Sequence, residues 1–273
     1  MASGNRNSQS GIFHKGTLII IGGREDKSGE MGILKEVVKQ TGRRKMVVAT
    51  VASEIPNELW LDYKKIFSHL GIKDLVHFGI AQHEEAFSAK KLSLFNEAHT
   101  VFFTGGDQLK ITTKIGGTPI YDRIFEIFKT GGVIAGTSAG AAAMGNSMLV
   151  GGADSENHKV GNWMMAPGLG FLTDIVVDQH FAQRGRIGRL LGAVALNPGI
   201  LGVGIDEDTA VVVNKGNLKV IGNNAVYVVD GRYVSSTNIS QADAEKTMSM
   251  HDVRLHILAR DEKFDLKNRK PSR

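Results

Sequence analysis

Short apolar runs alternate with amphipathic segments along the first 150 residues of the chain. Continuous runs of this length, rich in Val, Ile and Phe, are typical of strands that are buried on both faces of a sheet. We therefore predict five buried strands, at residues 18–21, 46–51, 75–78, 101–103 and 133–135.

The segments between these strands carry apolar residues at helical spacing. Three apolar stripes, at residues 33–38, 59–70 and 121–128, are each followed closely by a glycine. A glycine just past the last periodic residue is a common end of a helix. Strands that alternate with helices predict a parallel, doubly wound sheet with right-handed crossovers.

The pattern changes after residue 150. Residues 151–171 show no clear period, which predicts a long excursion over the surface. Residues 175–177 then resume a strand, and residues 186–195 have the pattern of a short helix.

The C-terminal third has the pattern of antiparallel hairpins. Apolar runs at 210–213, 218–221 and 225–229 are separated by Asn-Lys-Gly and Gly-Asn-Asn, and an Asp-Gly pair follows the last run. Turn residues at such short intervals favour hairpins. The predicted fold is therefore an α/β fold with a doubly wound, mostly parallel sheet and a C-terminal antiparallel β-meander on the edge of that sheet.

One strand-to-helix junction carries candidate chemistry. Gly136-Thr137-Ser138-Ala139-Gly140 follows an apolar run and precedes a run of small, helix-prone residues. A strand, a tight turn with Ser at its tip and a helix make a nucleophile elbow, in which small neighbours fit the crowded backbone. We predict that Ser138 is a nucleophile.

A serine hydroxyl needs a base, and the base needs a carboxylate that orients it. His180 directly follows the predicted strand at 175–177, so it should lie at the same rim of the sheet as Ser138. Glu207 follows the apolar residues 200–203 and is the predicted partner of His180, with Asp206 and Asp208 as alternatives. The order Ser, His, acid differs from the Ser, Asp, His order of α/β-hydrolases.

Other residues at this rim suggest binding roles. The N–H groups of Gly106 and Ala139 are candidates for an oxyanion hole. Arg184, Arg186 and Arg189 are either a pocket for a substrate carboxylate or a solvated basic face. Acidic residues could meet a cationic group of the substrate, and the candidates are Glu25, Asp26, Asp107 and Asp178.

Composition narrows the classes of function. The 273 residues carry a net charge of +5, with basic clusters that are not interleaved with aromatic residues, which favours a solvated surface over nucleic-acid binding. The chain has no cysteine, so it forms no disulfide and no thiolate metal site. We predict no metal and no cofactor.

The composition of individual segments also suggests how the chain is divided into domains and where in the cell the protein lies. Residues 1–15 are rich in Ser, Asn and Gly, which predicts a flexible N-terminal tail ahead of a single catalytic α/β domain at 16–273. No apolar run approaches the ~18 residues that span a bilayer. We predict a protein that binds no membrane and lies in the cytoplasm.

Five segments together resemble the cyanophycinase family, in the clan of serine peptidases that also holds the aspartyl dipeptidases. The elbow is shared with the whole clan, whereas the segment that contains His180 and the three arginines is the more specific one. The segments are GGRED (22–26), TGGDQ (104–108), GTSAGA (136–141), DQHFAQRGRIGRL (178–190) and GIDEDTA (204–210).

This resemblance implies a class I glutamine-amidotransferase-like fold and hydrolysis of cyanophycin. Cyanophycin is a poly-aspartate chain with Arg joined to each side-chain carboxyl, and the product would be β-aspartyl-arginine dipeptide released from the chain end. The implied catalytic residues are Ser138, His180 and Glu207, in a homodimer that uses no metal and serves a nitrogen store. The implied substrate pocket consists of Gln108, Asp178, Gln179, Arg184, Arg186 and Arg189.

Two alternative functions remain open on the sequence. The same elbow could serve an aspartyl dipeptidase or an esterase, or it could belong to an amidotransferase-like binding module with an inert serine. Small Asp-X peptides separate the two enzymes, and labelling by a serine-reactive phosphonate separates an enzyme from an inert module.

Overall fold

The computed structural model describes residues 15–151, 163–240 and 246–272 of the chain. Apart from Lys15, the predicted N-terminal tail lies outside the described residues, as do residues 152–162 of the predicted surface excursion. The helices are α1 Gly32–Thr41, α2 Pro56–His69, α3 Ala89–Ser93, α4 Gln108–Ile115, α5 Pro119–Lys129, α6 Ala139–Ala142 and α7 Ile187–Leu196.

The larger sheet has nine strands. Five adjacent strands are parallel, in the order β1-β5-β4-β2-β3, and four antiparallel strands continue from β1 in the order β10-β11-β16-β17. These strands are β1 Thr17–Ile21, β2 Lys45–Ala49, β3 Leu75–Phe78, β4 Ala98–Phe103, β5 Val133–Thr137, β10 Thr209–Asn214, β11 Asn217–Gly222, β16 Lys263–Asp265 and β17 Lys270–Ser272.

The described residues also form three further sheets, each with fewer strands. One of them, called the smaller sheet below, has four strands in the order β15-β12-β9-β8. The pairs β6-β7 and β13-β14 form the other two. These strands are β6 Ser147–Gly151, β7 Met164–Pro167, β8 Ile175–Gln179, β9 Leu201–Ile205, β12 Val226–Asp230, β13 Ser236–Thr237, β14 Met250–His251 and β15 Arg254–Leu258.

Four of the five parallel strands, β1, β2, β4 and β5, are buried on both faces, as their apolar runs predict, whereas the edge strand β3 is only partly buried. On β1, Leu18 and Ile20 join the core beneath α4 and α5, whereas Ile19 and Ile21 join the core beneath α1 and α2. Successive side chains of a strand point to opposite faces, so an uninterrupted apolar run is needed where helices cover both sides. The predicted α/β fold around a parallel sheet is confirmed in this form.

The C-terminal strands differ from the prediction at one point. β10 and β11 form the expected hairpin on the edge of the large sheet, but β12 leaves it and pairs with β9 and β15. The meander is instead completed by β16 and β17. The smaller sheet packs against α7 through Val176, Leu190, Val194 and Val229.

The two larger sheets place several strand ends next to each other. His180 N–H donates to Gly22 O at 2.8 Å, which ties the end of β8 to the loop after β1. Gly22 N–H donates to Thr209 O at 2.9 Å, which ties the same loop to the start of β10. None of the helices in the described ranges has the length and apolar character to cross a membrane.

Candidate active site

The turn after β5 has the geometry of a nucleophile elbow. Ser138 adopts φ 53° and ψ −109°, a conformation that side-chain-bearing residues rarely occupy, and its N–H donates to Ile21 O at 3.0 Å. Such strain persists only where surrounding contacts hold the backbone. The turn leaves Ser138 partly exposed at the carboxyl end of the sheet, whereas its neighbours Thr137 and Ala139 are buried.

A hydrogen-bonded chain links Ser138, His180 and Glu207. Ser138 Oγ lies 3.0 Å from His180 Nε2, and His180 Nδ1 lies 2.7 Å from Glu207 Oε1. A carboxylate only accepts, so Nδ1 donates to Glu207 and Nε2 is left to accept the proton of Ser138. The arrangement is that of a nucleophile, a base and an orienting carboxylate.

Adjacent parallel strands position the base and the acid. His180 follows β8 directly, and Glu207 comes two residues after the end of β9, whose last residue Ile205 pairs with Gln179. The two side chains therefore leave the same end of the smaller sheet. His180 has φ 47°, so the chain turns sharply there and directs the ring towards the elbow of the larger sheet.

The surroundings of His180 favour a neutral imidazole. Burial lowers the pKa of His180 below its ordinary value of 6.5, and the positive charges of Arg184 and Arg186 lower it further. The hydrogen bond and the charge of Glu207 act in the opposite direction, but the net direction is downward. A neutral imidazole is the form that can accept a proton.

The three adjacent carboxylates after β9 have separate partners. Asp206 is buried and accepts from the N–H groups of Ala182 and Ala225 at 2.8 and 3.3 Å. Asp208 accepts from Asp26 N–H at 2.9 Å and also from the Asn223 amide. Of the three carboxylates, only that of Glu207 is hydrogen-bonded to His180. The sequence had left Asp206 and Asp208 open as alternatives.

Two residues of the loop after β1 contact the site in ways that the sequence analysis missed. A Cβ on Gly23, where φ is 102°, would lie 2.3 Å from Cε1 of His180, so only glycine leaves room for the ring. The exposed Arg24 places Nε 3.4 Å from Glu207 Oε1. The sequence signal was the Gly22-Gly23 pair, which indicates that another group packs closely against the backbone. Only the fold shows that this group is the His180 ring.

Of the two predicted oxyanion donors, Ala139 directly follows Ser138, and Gly106 follows Gly105, which packs on Ser138. Ala139 is the first residue of α6, where an N–H has no acceptor within the helix. Gly105 lies against the nucleophile, because a Cβ there would be 3.9 Å from Ser138 Oγ. Gly106 has φ 141° and packs on Ala52, where a Cβ would clash with the carbonyl oxygen at 2.1 Å.

The predicted pocket residues fall into an exposed and an interior group. Arg184 is exposed, and Gln108 is partly exposed, with its amide donating to Leu149 O at 2.8 Å. Gln179 Oε1 lies 3.5 Å from Ser138 Oγ. Asp178 and the other two arginines are each at most 5% exposed.

The interior group is an ion cluster around Asp178. Arg189 Nε donates to Asp178 Oδ2 at 2.6 Å, and its Nη2 donates to Oδ1 of the same carboxylate. Arg186 Nη1 lies 3.4 Å from Asp178 Oδ1 and donates to Gln179 O at 2.6 Å. In this structure the Arg189 fork binds a protein carboxylate, and the expectation that all three arginines face a substrate carboxylate stays a prediction.

This cluster predicts a stability effect that separates Arg189 from Arg184. Arg189→Ala leaves Asp178 buried without its bidentate partner, and breaking such a pair costs about 3–5 kcal/mol. Arg184→Ala is the matched control and should change the free energy of unfolding by less than about 0.5 kcal/mol. Urea denaturation of both variants is the measurement, and equal loss of stability in the two would contradict the assignment.

The acidic candidates for a cationic substrate group also separate. Glu25 is buried and accepts hydrogen bonds from Tyr63 Oη and from Thr137 Oγ1. Its carboxylate therefore stabilises the residue that precedes Ser138 in the elbow. Asp26 accepts from three backbone N–H groups of its own loop, which lower its pKa to about 2. Asp107 is exposed and accepts from Leu109 N–H at the start of α4.

The described part of the chain offers no cluster of metal ligands. No group of three or more His, Asp or Glu side chains there is placed to hold an ion.

Comparisons with known proteins identify relatives of the whole chain. The model of the family described as Peptidase family S51 matches residues 18–221. A cyanophycinase of Geminocystis herdmanii (strain PCC 6308) is 36% identical over 263 residues, which cover 95% of this chain and 97% of that relative. A cyanophycinase of Nostoc sp. (strain PCC 7120 / SAG 25.82 / UTEX 2576) is 36% identical over 93% of this chain and 87% of its own.

Among solved structures, a peptidase from an acI-B1 Actinobacterium has a similar fold. It superposes with a TM-score of 0.64 at 21% identity and covers 88% of this chain and 96% of its own. At that identity the likeness supports the fold alone.

Proposed function

The chain belongs to peptidase family S51, and from that membership and the geometry at Ser138 we propose a serine-type exopeptidase that degrades cyanophycin to β-aspartyl-arginine dipeptides. The observation that carries the proposal is the chain from Ser138 Oγ to His180 Nε2, at 3.0 Å, and from His180 Nδ1 to Glu207, at 2.7 Å. The likeness to cyanophycinases over more than nine-tenths of the chain supports the choice of substrate.

The proposed reaction begins with acylation of Ser138. Its Oγ attacks the backbone carbonyl carbon of the scissile bond while His180 Nε2 takes the hydroxyl proton, and Glu207 stabilises the imidazolium that forms. The N–H groups of Gly106 and Ala139 donate to the oxyanion, and each such donor contributes about 3 kcal/mol.

The second half of the reaction releases both products. His180 gives its proton to the leaving amine, the tetrahedral intermediate collapses, and the C–N bond breaks to leave an ester on Ser138. Water then loses a proton to His180 and attacks this ester. The acyl product leaves as a carboxylic acid, and Ser138 regains its proton.

In this proposal the substrate is held by the exposed Arg184, by the partly exposed Gln108 and by Gln179, which is buried but lies beside Ser138. Arg184 and the amides of Gln108 and Gln179 bind the polar groups beside the scissile bond. Asp178, Arg186 and Arg189 act from the interior, because their ion cluster fixes the end of β8 from which His180 and Gln179 extend.

Incubation of insoluble cyanophycin with the protein, followed by mass analysis of the soluble fraction, tests the proposal. A single soluble product with the mass of one aspartyl-arginine unit is the expected result. Cleavage of small Asp-X peptides without attack on the polymer would favour a dipeptidase instead. Failure of a serine-reactive phosphonate to label the protein would argue against any enzyme of this type.

The lowered pKa of His180 predicts the acidic limb of the pH profile. Activity requires neutral His180, so kcat/KM should rise with pH with a midpoint below the ordinary 6.5. Arg184→Gln removes a charge that lowers this pKa and should move the midpoint to higher pH. Arg43→Gln is the control, because Arg43 is exposed and lies between the end of α1 and the start of β2, at the end of the parallel strands opposite to Ser138. A wild-type midpoint above about 6.5 would contradict the prediction.

We propose further features on the strength of the family resemblance. These are a class I glutamine-amidotransferase-like fold, a single catalytic domain at 16–273, a cytoplasmic location and a homodimeric state. Light scattering of the purified protein tests the last of these, since a monomeric mass at micromolar concentration would contradict it.

A further inference from the structure

A second cleft, of about 650 Å³, opens at the carboxyl ends of β2 and β3. Thr50 and Gly79, which directly follow these two strands, form its floor. The start of α2 and one face of α4 form its walls. Clefts outside the carboxyl ends of parallel strands are common binding sites in open α/β sheets.

The cleft presents charges of both signs. Three ammonium groups line it, those of Lys91, Lys110 and Lys114, together with the carboxylates of Glu54 and Glu85. Hydrogen bonds to backbone carbonyl groups hold two of the three ammonium groups, those of Lys91 and Lys114, in place.

Two of the ammonium groups cap strand ends. Lys114 Nζ donates to Val51 O at 3.2 Å and to Ile80 O at 3.1 Å, and Lys91 Nζ donates to Gly79 O at 2.7 Å. An ammonium has three donors, so these bonds leave a donor on each group for a ligand. Lys110 differs, because its partner is the carboxylate of Glu54, whose side chain is 84% exposed. An exposed pair of this kind is worth little and opens at little cost.

One loop separates this cleft from the nucleophile. On one side of the loop, a Cβ on Gly105 would lie 3.5 Å from Ser138 Cβ. On the other side, Gly106 packs on Ala52, and Asp107 N–H donates to Ala52 O at 3.0 Å. Ser53, the next residue, already lines the cleft. Gly105 and Gly106 therefore lie between Ser138 and the segment that lines the cleft.

We propose that this cleft is a distal subsite, which holds a further repeat of a polymer whose scissile bond lies at Ser138; the inference rests on the proposed function. An arginine that is joined through its amino group keeps both its own carboxylate and its guanidinium. Every repeat of the polymer therefore carries one charge of each sign. Lys110 meets the carboxylate, and Glu54 meets the guanidinium once their mutual pair opens.

The test compares substrates of two lengths. A substrate of two repeats has one scissile bond and, in this proposal, leaves the cleft empty, whereas a soluble polymer of ten or more repeats fills it. Lys110→Glu should raise KM for the long polymer about fivefold to tenfold, from lost attraction and added repulsion at a partly exposed site. KM for the two-repeat substrate should stay within about twofold, and Lys110→Arg should retain wild-type KM on both substrates.

Lys39→Glu is the matched control. Lys39 makes an exposed ion pair with Glu36 on α1, at 3.1 Å, and does not line the cleft, so its replacement changes the net charge equally. Thermal unfolding establishes that all variants are folded. If Lys110→Glu changes KM for both substrates equally, or for neither, the distal subsite is wrong although the proposed function stands. If the wild type cleaves neither substrate, the proposed function itself fails, and the subsite fails with it.

Discussion

Replacement of Ser138 by Ala is expected to lower kcat by about 10⁴-fold or more while the protein stays folded. Removal of Oγ removes the proposed nucleophile that forms the acyl bond, whereas the methyl group fits the same space. The backbone at Ser138 is held by its N–H bond to Ile21 O and by its place at the start of α6. These contacts do not involve the hydroxyl, so the free energy of unfolding should change little.

The measurements are kcat and kcat/KM on soluble cyanophycin oligomers, with circular dichroism as a check on folding. Ser68→Ala, at an exposed position of α2, is the control and should leave the rate unchanged. The Ser138 variant should also lose labelling by a phosphonate. If it keeps a tenth of wild-type activity, Ser138 is not the nucleophile.

The parallel half of the fold could be predicted from the sequence because its signal is local. A strand that is covered on both faces must be apolar throughout, and the five predicted runs fall within or overlap β1 to β5. The smaller sheet could not be predicted, because its strands have the same pattern as those of the meander. Val226–Asp230 could pair with either neighbour, and only the packing of α7 on β9 and β12 places it.

The candidate site divides in the same way. Ser138, His180 and Glu207 each follow a predicted strand, so their meeting at one rim follows from topology, although their roles remain predictions. The interior position of Arg186 and Arg189 could not be predicted, since a basic pocket, a solvated helix face and a buried ion cluster share one composition. Both arginines contact the buried carboxylate of Asp178, and only the fold shows that these residues are partners.

Replacement of Glu207 by Gln is expected to lower kcat by about 10³- to 10⁴-fold with little change in KM. Gln has nearly the same shape, but it lacks the charge that stabilises the imidazolium of His180. Its amide can also donate to Nδ1, which would put the ring proton on Nε2 and prevent that atom from accepting the proton of Ser138.

Two controls make the Glu207 prediction specific. Asp208→Asn changes the neighbouring carboxylate, which binds the loop after β1 and not His180, so it should keep activity within about tenfold. The pH profile supplies a signature that lost packing would not give: Glu207 raises the pKa of His180, so its removal should move the acidic limb to lower pH. His180 and Glu207 follow two neighbouring strands of the smaller sheet, whereas Ser138 follows a strand of the larger sheet. A shifted acidic limb together with a lower kcat would therefore show that residues from both sheets act together in catalysis. A Glu207→Gln variant within tenfold of wild type, with an unshifted acidic limb, would instead leave His180 oriented by the backbone alone.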